Sequence, residues 1–307
     1  MSRRPTRPPG GADEANPAEV MRSSAYHQRF LDLTLAERDD DSGRRVLAAE
    51  WRYIGPLLAS LRGARDVLDL ACGAGHQTLA WAERGFRVTG LDFDGDLLLA
   101  GRQRIARASE GRLSARWTCG DATRLPFRDA SFDLVFNNSL LEHVPAWRAV
   151  LAETARVLRP GGVFVMYTTN RTCPIQQEVN HFPFYPWLPD PIQRRVLAWI
   201  MEHRRDMVNF TDFPAINWFT FPGMSRAFRD AGLEPYDRLD LMARQRTPGL
   251  RGAVAAALSG SRLLKWPYYF YANSMALYGV RRGGPGPGTA GDLGAAPGAA
   301  ARAGAGQ

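Results

Sequence analysis

The stretch Val67 to Asp92, VLDLACGAGHQTLAWAERGFRVTGLD, constrains this chain more than any other. Val67, Leu68 and Leu70 form a short apolar run that stops at Ala71-Cys72-Gly73-Ala74-Gly75. That pattern is a buried strand entering a turn of small residues. Helical spacing follows from Gln77 to Arg84, Gly85 closes it, and Arg87 to Leu91 reads as a second strand ending at Asp92. Small residues let a ligand approach the backbone, and the N-terminus of the following helix favours negative charge. An acid about 20 residues beyond the loop can accept from ribose hydroxyls. The unit reads as a nucleoside-binding βαβ module. An ordinary tight turn between strand and helix has the same local pattern, so the segments downstream decide.

The loop itself narrows the choice of nucleoside. A dinucleotide fingerprint needs G-x-G-x-x-G, but Gly73 and Gly75 are followed by His76, Gln77 and Thr78, without the third glycine. A phosphate-binding Gly-Lys-Ser/Thr loop is excluded because the only lysine in the chain is Lys265. What remains is Asp69-x-Ala71-x-Gly73-x-Gly75. This resembles motif I, D-x-G-x-G-x-G, of the class I S-adenosylmethionine (SAM) methyltransferases, with Ala71 in the first glycine's place.

The order of the later segments extends the resemblance. LDLACGAG, GLDFD, GDATRLPF, FDLVFNNSLLEHV and RVLRPGGVFV follow one another between Val67 and Thr168. As a set they resemble the methyltransferases that include the ubiquinone and menaquinone biosynthesis enzymes. Strands alternating with helices predict an α/β fold: a doubly wound, mostly parallel, seven-stranded Rossmann-like sheet with a helical lid insert. Expected elements include helices over 140–144, 147–158 and 222–231, a turn at Pro160-Gly161-Gly162, and strands over 163–168, 236–241 and 274–280. The last two strands pair antiparallel in this family.

The resemblance also implies a site at the carboxyl ends of the strands. Asp69 orders the loop and faces the methionine end of SAM. Gly73 and Gly75 let methionine and ribose lie against the backbone. Asp92 holds both ribose hydroxyls and Phe93 flanks the adenine. Asp121 and Ala122 read the adenine edge, and Asn137 meets the ammonium group, with Asn138 and Ser139 as second choices. Methyl transfer is an in-line displacement from an already activated sulfonium, so the protein supplies alignment and, for a hydroxyl acceptor, a base. Histidine suits that task near neutral pH. His181, in Asn180-His181-Phe182-Pro183, is preferred as base, and His143 is the alternative; a packing role is open for both. His203 reads as a residue of a solvated helix face. The expected reaction is methylation of a small-molecule or lipid-like acceptor, with oxygen favoured. C-methylation of a quinone or prenylated ring and non-catalytic SAM binding are the alternatives.

Composition settles the flanks. The chain has 307 residues, 45% of them hydrophobic, which suffices for one domain spanning 23–282. Residues 1–22 and 283–307 are rich in Pro, Arg, Gly and Ala and read as disordered tails without an apolar signal core. No apolar run approaches the ~18 residues that a membrane span needs. Cys72, Cys119 and Cys173 are scattered, with no C-x-x-C spacing. They argue for free thiols in a reducing cytoplasm and against a metal site. Residues 171–221 hold ten Phe, Tyr and Trp residues that read as a lid, some of them making its own small core. Tyr26, in an N-terminal helix, is a further candidate for cofactor contact. The net charge of +8 is concentrated: residues 242–282 carry seven basic residues and no acid. With Trp266-Pro267-Tyr268-Tyr269-Phe270-Tyr271, the basic aromatic insert 242–272 suits an anionic membrane surface through Arg262 and Lys265. An anionic substrate and plain packing are the other readings. No nucleic-acid-binding module is present.

Overall fold

The computed structural model describes residues 41–61, 63–175, 178–180, 182–208, 215–261 and 263–283. Tyr26, His181 and Arg262, and the tails apart from Gly283, lie outside the described residues. In chain order the elements are α1 (Asp41–Ala59), β1 (Asp66–Leu70), α2 (His76–Glu83), β2 (Arg87–Asp92), α3 (Gly95–Ala108), β3 (Arg116–Cys119), β4 (Phe132–Asn138), α4 (Trp147–Val157) and β5 (Leu158–Thr169). They continue with α5 (Asp190–His203), α6 (Phe221–Asp230), β6 (Leu233–Tyr236), α7 (Arg238–Arg244), α8 (Gly249–Ser259), α9 (Trp266–Tyr271) and β7 (Ser274–Arg281).

The seven strands form one sheet in the order β3-β2-β1-β4-β5-β7-β6. β1 pairs in parallel with both β2 and β4, so the strand order reverses there. The helices that follow the two strands leave toward opposite faces, and a crevice opens between their carboxyl ends. β7 is antiparallel to both β5 and β6.

Side-chain alternation in the central strands divides the core between two faces. Leu68, Val135, Phe164 and Met166 pack with α4 and α6 residues such as Leu151 and Phe228. Val67, Leu134, Val163 and Val165 pack with Ile54 and Leu57 of α1 and Trp81 of α2. Fully burying each such side chain contributes about 1.5–3 kcal/mol, so the strands are held from both sides.

Helix α1 begins at Asp41, and Arg44 ties it to α2 through Glu83 at 2.7 Å. Four local expectations are corrected. Residues 140–144 form a turn rather than a helix. The carbonyls a helix would use are already taken: Ile216 N and Asn217 N donate to Glu142 O, and Asn217 Nδ2 donates to Leu141 O and Val144 O. The Pro160-Gly161-Gly162 turn is absorbed into β5, where the register against β4 shifts and Gly161 takes φ 81°. β6 ends at Tyr236, not Leu241, because Asp237 caps α7 in a reciprocal box with Asp240. Lys265 does not face solvent. It is 5% exposed, donates to Asp237 Oδ2 at 2.9 Å, and also pairs with Asp240. It therefore takes no part in a surface contact with lipid.

The segment after β5 has its own small core, in which Val179, Tyr185, Ile200, Met207, Val208 and Trp218 come together. Among the described residues no helix is long and apolar enough to cross a membrane.

Candidate active site

The loop from β1 to α2 alternates its backbone hand. Ala71, Gly73 and Gly75 have φ of 58°, 50° and 76°. At Gly73 an added Cβ would meet nothing within 4 Å, so the loop faces open space there. Ala71 tolerates the left-handed region at a cost of roughly 1–2 kcal/mol, which is why a glycine is the easier residue at that position. Gly75 is small for a different reason: its Cβ would lie 2.7 Å from the Trp117 ring and 3.2 Å from Gly101 Cα. Trp117 thus fills a hollow formed by Gly75, Gly90 and Gly101 beneath the loop. The loop is clasped from β2. Gly73 N donates to Asp92 Oδ2 at 2.9 Å, Asp94 N donates to Asp92 Oδ1 at 3.0 Å, and Cys72 N donates to Leu91 O. Arg104 of α3, a buried residue the sequence did not single out, donates Nε to Ala74 O at 2.9 Å.

Two buried carboxylates meet at this crevice. Asp69 accepts from Thr78 Oγ1 at 2.6 Å, which ties β1 to α2. Burial pushes its carboxyl up to about 7, against the Thr78 hydrogen bond, and the Asp92 charge adds to the rise. Burial also raises Asp92, opposed by the N–H groups of Asp94 and Gly73. Neither has a Lys or Arg partner among the described residues. Asn137 is fully buried, and its Nδ2 donates to Leu70 O at 2.9 Å while Oδ1 has no partner. A carboxylate pair without a countercharge and an orphaned acceptor fit a ligand that is itself cationic, as SAM is at its sulfonium and ammonium groups. Each Asp92 oxygen keeps lone-pair capacity for a hydroxyl.

The ends of β2 and β3 are joined beside this cradle. Gly120 N donates to Asp92 O at 3.0 Å and Cys119 Sγ to Phe93 O at 3.3 Å. Phe93 is half-buried, Ala122 is buried, and Asp121 is exposed, with Oδ1 accepting from Thr123 N at 2.7 Å. Asp69, Gly73, Asp92 and Asn137 are therefore brought together at the carboxyl ends of β1, β2 and β4, with Phe93, Asp121 and Ala122 where β2 and β3 end and Gly75 turned toward Trp117 beneath the loop.

Beyond Asn137 lies a second feature. A cavity of about 130 Å³ opens at the ends of β4 and β5, lined by Asn138, Ser139, Glu142, Tyr167, Thr168 and Glu178 among others. Sequence reasoning passed over Glu142, taking it as part of a helix. The turn buries it to 1% exposure, and its Oε2 accepts from Thr168 Oγ1 at 2.7 Å. Burial pushes its carboxyl up to about 7, opposed by hydrogen bonds to its own backbone, Thr168 and Ser139. No motif spacing announces this residue; only burial of the turn does. His143, its neighbour, is half-buried and does not line the cavity. His203 is exposed and stacks on Trp199, as a solvated helix face requires. The three cysteines are free thiols, with Cys173 buried, Cys72 half-buried and Cys119 exposed.

Comparison with known proteins agrees with this geometry. A family described as a methyltransferase domain matches residues 68–166. The chain is 34% identical over 143 residues to a demethylmenaquinone methyltransferase of Shouchella clausii, covering 45% of this chain and 60% of that protein. It is 32% identical over 179 residues to a demethylmenaquinone methyltransferase of Staphylococcus aureus, covering 56% of this chain and 69% of that protein. The chain thus spans about three fifths to two thirds of the length of these relatives. The solved structure of the plantazolicin methyltransferase BpumL in complex with SAH shares the fold alone, at 10% identity and TM-score 0.52 over 86% of this chain and 93% of that one. With this loop, this strand order and these relatives, the chain belongs to the class I SAM-dependent methyltransferases of the quinone-biosynthesis-like type.

Proposed function

We propose that this chain transfers the methyl group of SAM to a ring carbon of a hydroxylated, quinol-like aromatic acceptor. The observation that carries the reading is the likeness to two demethylmenaquinone methyltransferases, together with the methyltransferase-domain match over residues 68–166. The sequence alone favoured transfer to oxygen. The relatives favour carbon, and both routes begin with removal of a hydroxyl proton. SAM supplies an activated methyl group when bound. Asp92 takes its ribose hydroxyls, Phe93 flanks the adenine, Asp121 and Ala122 read the adenine edge, and Asp69 with Asn137 faces the ammonium. Gly73 keeps the loop open for the ligand. The acceptor lies toward the cavity at the ends of β4 and β5, under the 171–221 insert, which contributes Glu178 to its lining. His143 stands beside that region and His181 is in the insert.

The lipid-like part of such an acceptor suits an apolar surface. Leu250, Leu263, Trp266 and Tyr271 are exposed on and around α8 and α9 and would rest on a bilayer. The decisive experiment uses SAM labelled with carbon-13 in the methyl group and a naphthohydroquinone unsubstituted at one ring carbon. The expected product carries the label as a ring methyl. A methoxy product would move the reading to oxygen, and the absence of any labelled product over a panel of hydroquinones and phenols would sink it.

A further inference from the structure

We propose that Glu142 is the proton acceptor for the hydroxyl group of the methyl acceptor, and that the cavity between the ends of β4 and β5 is where that hydroxyl sits. The proposal rests on the acceptor reading above only for the identity of the hydroxyl compound.

Position comes first. The backbone of Glu142 is pinned at its carbonyl by Ile216 N at 2.8 Å and Asn217 N at 3.0 Å. The side chain is held by Thr168 Oγ1 at 2.7 Å. A carboxylate fixed in this way keeps one defined direction into the cavity. At about 130 Å³ the space is several times the roughly 30 Å³ of one water, so it admits a hydroxyl and the edge of a ring. The lining is rich in small polar groups that can orient a hydroxyl: Asn138, Ser139, Thr168 and, from the β7 side, Asn273 and Ser274.

The surroundings explain why a glutamate there is more than a brace. Among the described residues no Lys or Arg lines the cavity. Among the described residues, the titratable groups around Glu142 are Glu178 from the insert, Tyr167 from β5 and its chain neighbour His143. Burial holds the Tyr167 phenol well above its ordinary range, so it stays neutral. A buried carboxyl without a cation costs stability that a neutral glutamine in the same hydrogen bond would not. Burial also brings Glu142 to half-ionisation near neutrality, where a general base works best. His143 does not share the cavity.

The chemistry balances. The hydroxyl proton moves to a Glu142 oxygen as the electron pair of the acceptor oxygen delocalises into the ring. The ring carbon then forms its bond to the methyl group while the S–CH3 bond breaks and sulfur keeps the pair. The hydrogen on the methylated carbon leaves as a proton to water, the ring regains aromaticity, and the oxygen recovers its proton from Glu142. For transfer to oxygen the first step is the same, and Glu142 passes its proton to water afterwards.

Two measurements test this. The first needs no acceptor: infrared difference spectra of the protein alone between pH 5.5 and 8.5. Two buried carboxyl bands should titrate near pH 7, one lost in Glu142→Gln and the other in Asp69→Asn. The second is the pH profile of single-turnover methylation at SAM concentrations that saturate the enzyme at every pH, so that the titration of Asp69 does not enter. The wild type should rise through pH 7, while Glu142→Gln should lose that rise and about 10²–10⁴-fold in rate, with SAM affinity unchanged within about twofold. Thr168→Val, which removes the hydrogen bond favouring the charged form, should move the rise to higher pH. A Glu142→Gln enzyme with the wild-type rate, or with a lower rate and an unchanged profile, overturns the proposal. If Glu142→Gln does not fold, an unchanged profile in Thr168→Val overturns it. If wild type methylates no hydroxylated ring, the acceptor reading fails separately, and a missing Glu142 band still overturns the assignment here.

Discussion

Gly73 N donates to Asp92 Oδ2 at 2.9 Å, so the carboxylate that ends β2 also clasps the loop that ends β1. Its other oxygen accepts from Asp94 N at 3.0 Å, at the entrance to α3. One side chain thereby couples the loop, the second strand and the third helix. Replacing it by asparagine keeps the shape but loses the charge and the second acceptor. Hydrogen bonds to charged groups are worth about 1.5–3 kcal/mol, so Asp92→Asn should weaken SAM binding by roughly 10–100-fold. Isothermal titration with SAM checks this, and a variant within threefold of wild type would remove Asp92 from the ribose role.

Asp69 gives a pH dependence with a definite sign. Burial raises its carboxyl to about 7 in the folded protein, above the ~3.9 of an unfolded aspartate. Between those values the folded state binds the extra proton, so the contribution to stability is full below pH ~4 and is lost as pH rises through 7. A bound cation prefers the ionised form. SAM affinity should therefore increase from pH 6 to pH 8 by up to about tenfold, while the melting temperature of the ligand-free protein declines over the same interval. Asp69→Asn should flatten both curves. A SAM affinity that is level across this interval in wild type would count against contact between Asp69 and the ammonium.

Gly101 tests the hollow under the loop. An added Cβ would stand 2.5 Å from the Trp117 ring. Overpacking of this kind costs about 1–3 kcal/mol, so Gly101→Ala should lower the denaturation midpoint by that amount. Trp117→Leu in the same chain should recover part of it, and the double-mutant cycle should show coupling of about 0.5–3 kcal/mol. Additive effects would mean that Trp117 does not fill the hollow.

Lys265 is expected to matter for folding rather than for surfaces. Its amine lies between Asp237 and Asp240 and is almost fully buried. Tyr269 donates to the same Asp237 oxygen at 3.0 Å. Removing one partner of a buried ion pair costs about 3–5 kcal/mol. Lys265→Met should show that loss in urea denaturation while leaving sedimentation with anionic vesicles unchanged for the folded fraction. Weaker vesicle binding by the folded variant would return Lys265 to the surface role.

The comparison of sequence and structure turns on range. Asp69, Gly73, Gly75 and Asp92 were legible because one βαβ unit fixes them by local rules: a strand ends, small residues turn, a helix begins, and an acid follows. The alternation of strands with helices likewise predicted a sheet covered on both faces. Errors came where distant backbone competes for the same groups. The stretch 140–144 has helical spacing, yet the 215–217 segment takes its carbonyls. Tyr236–Leu241 has strand-like content, yet the Asp237–Asp240 box starts a helix. Lys265 looks like a surface cation until its two aspartates, 25 and 28 residues away, are brought beside it.

The sequence by itself determined the fold class and, through its resemblance to a known family, the cofactor, because motif, period and order are properties of short segments. Tertiary structure alone decided which side chains are dry. Ionisation depends on desolvation and on neighbours remote in the chain, and neither has a local signature. That is why Asp69 was found by its motif, while Glu142 emerged only once Thr168 and the 215–217 segment had closed around it.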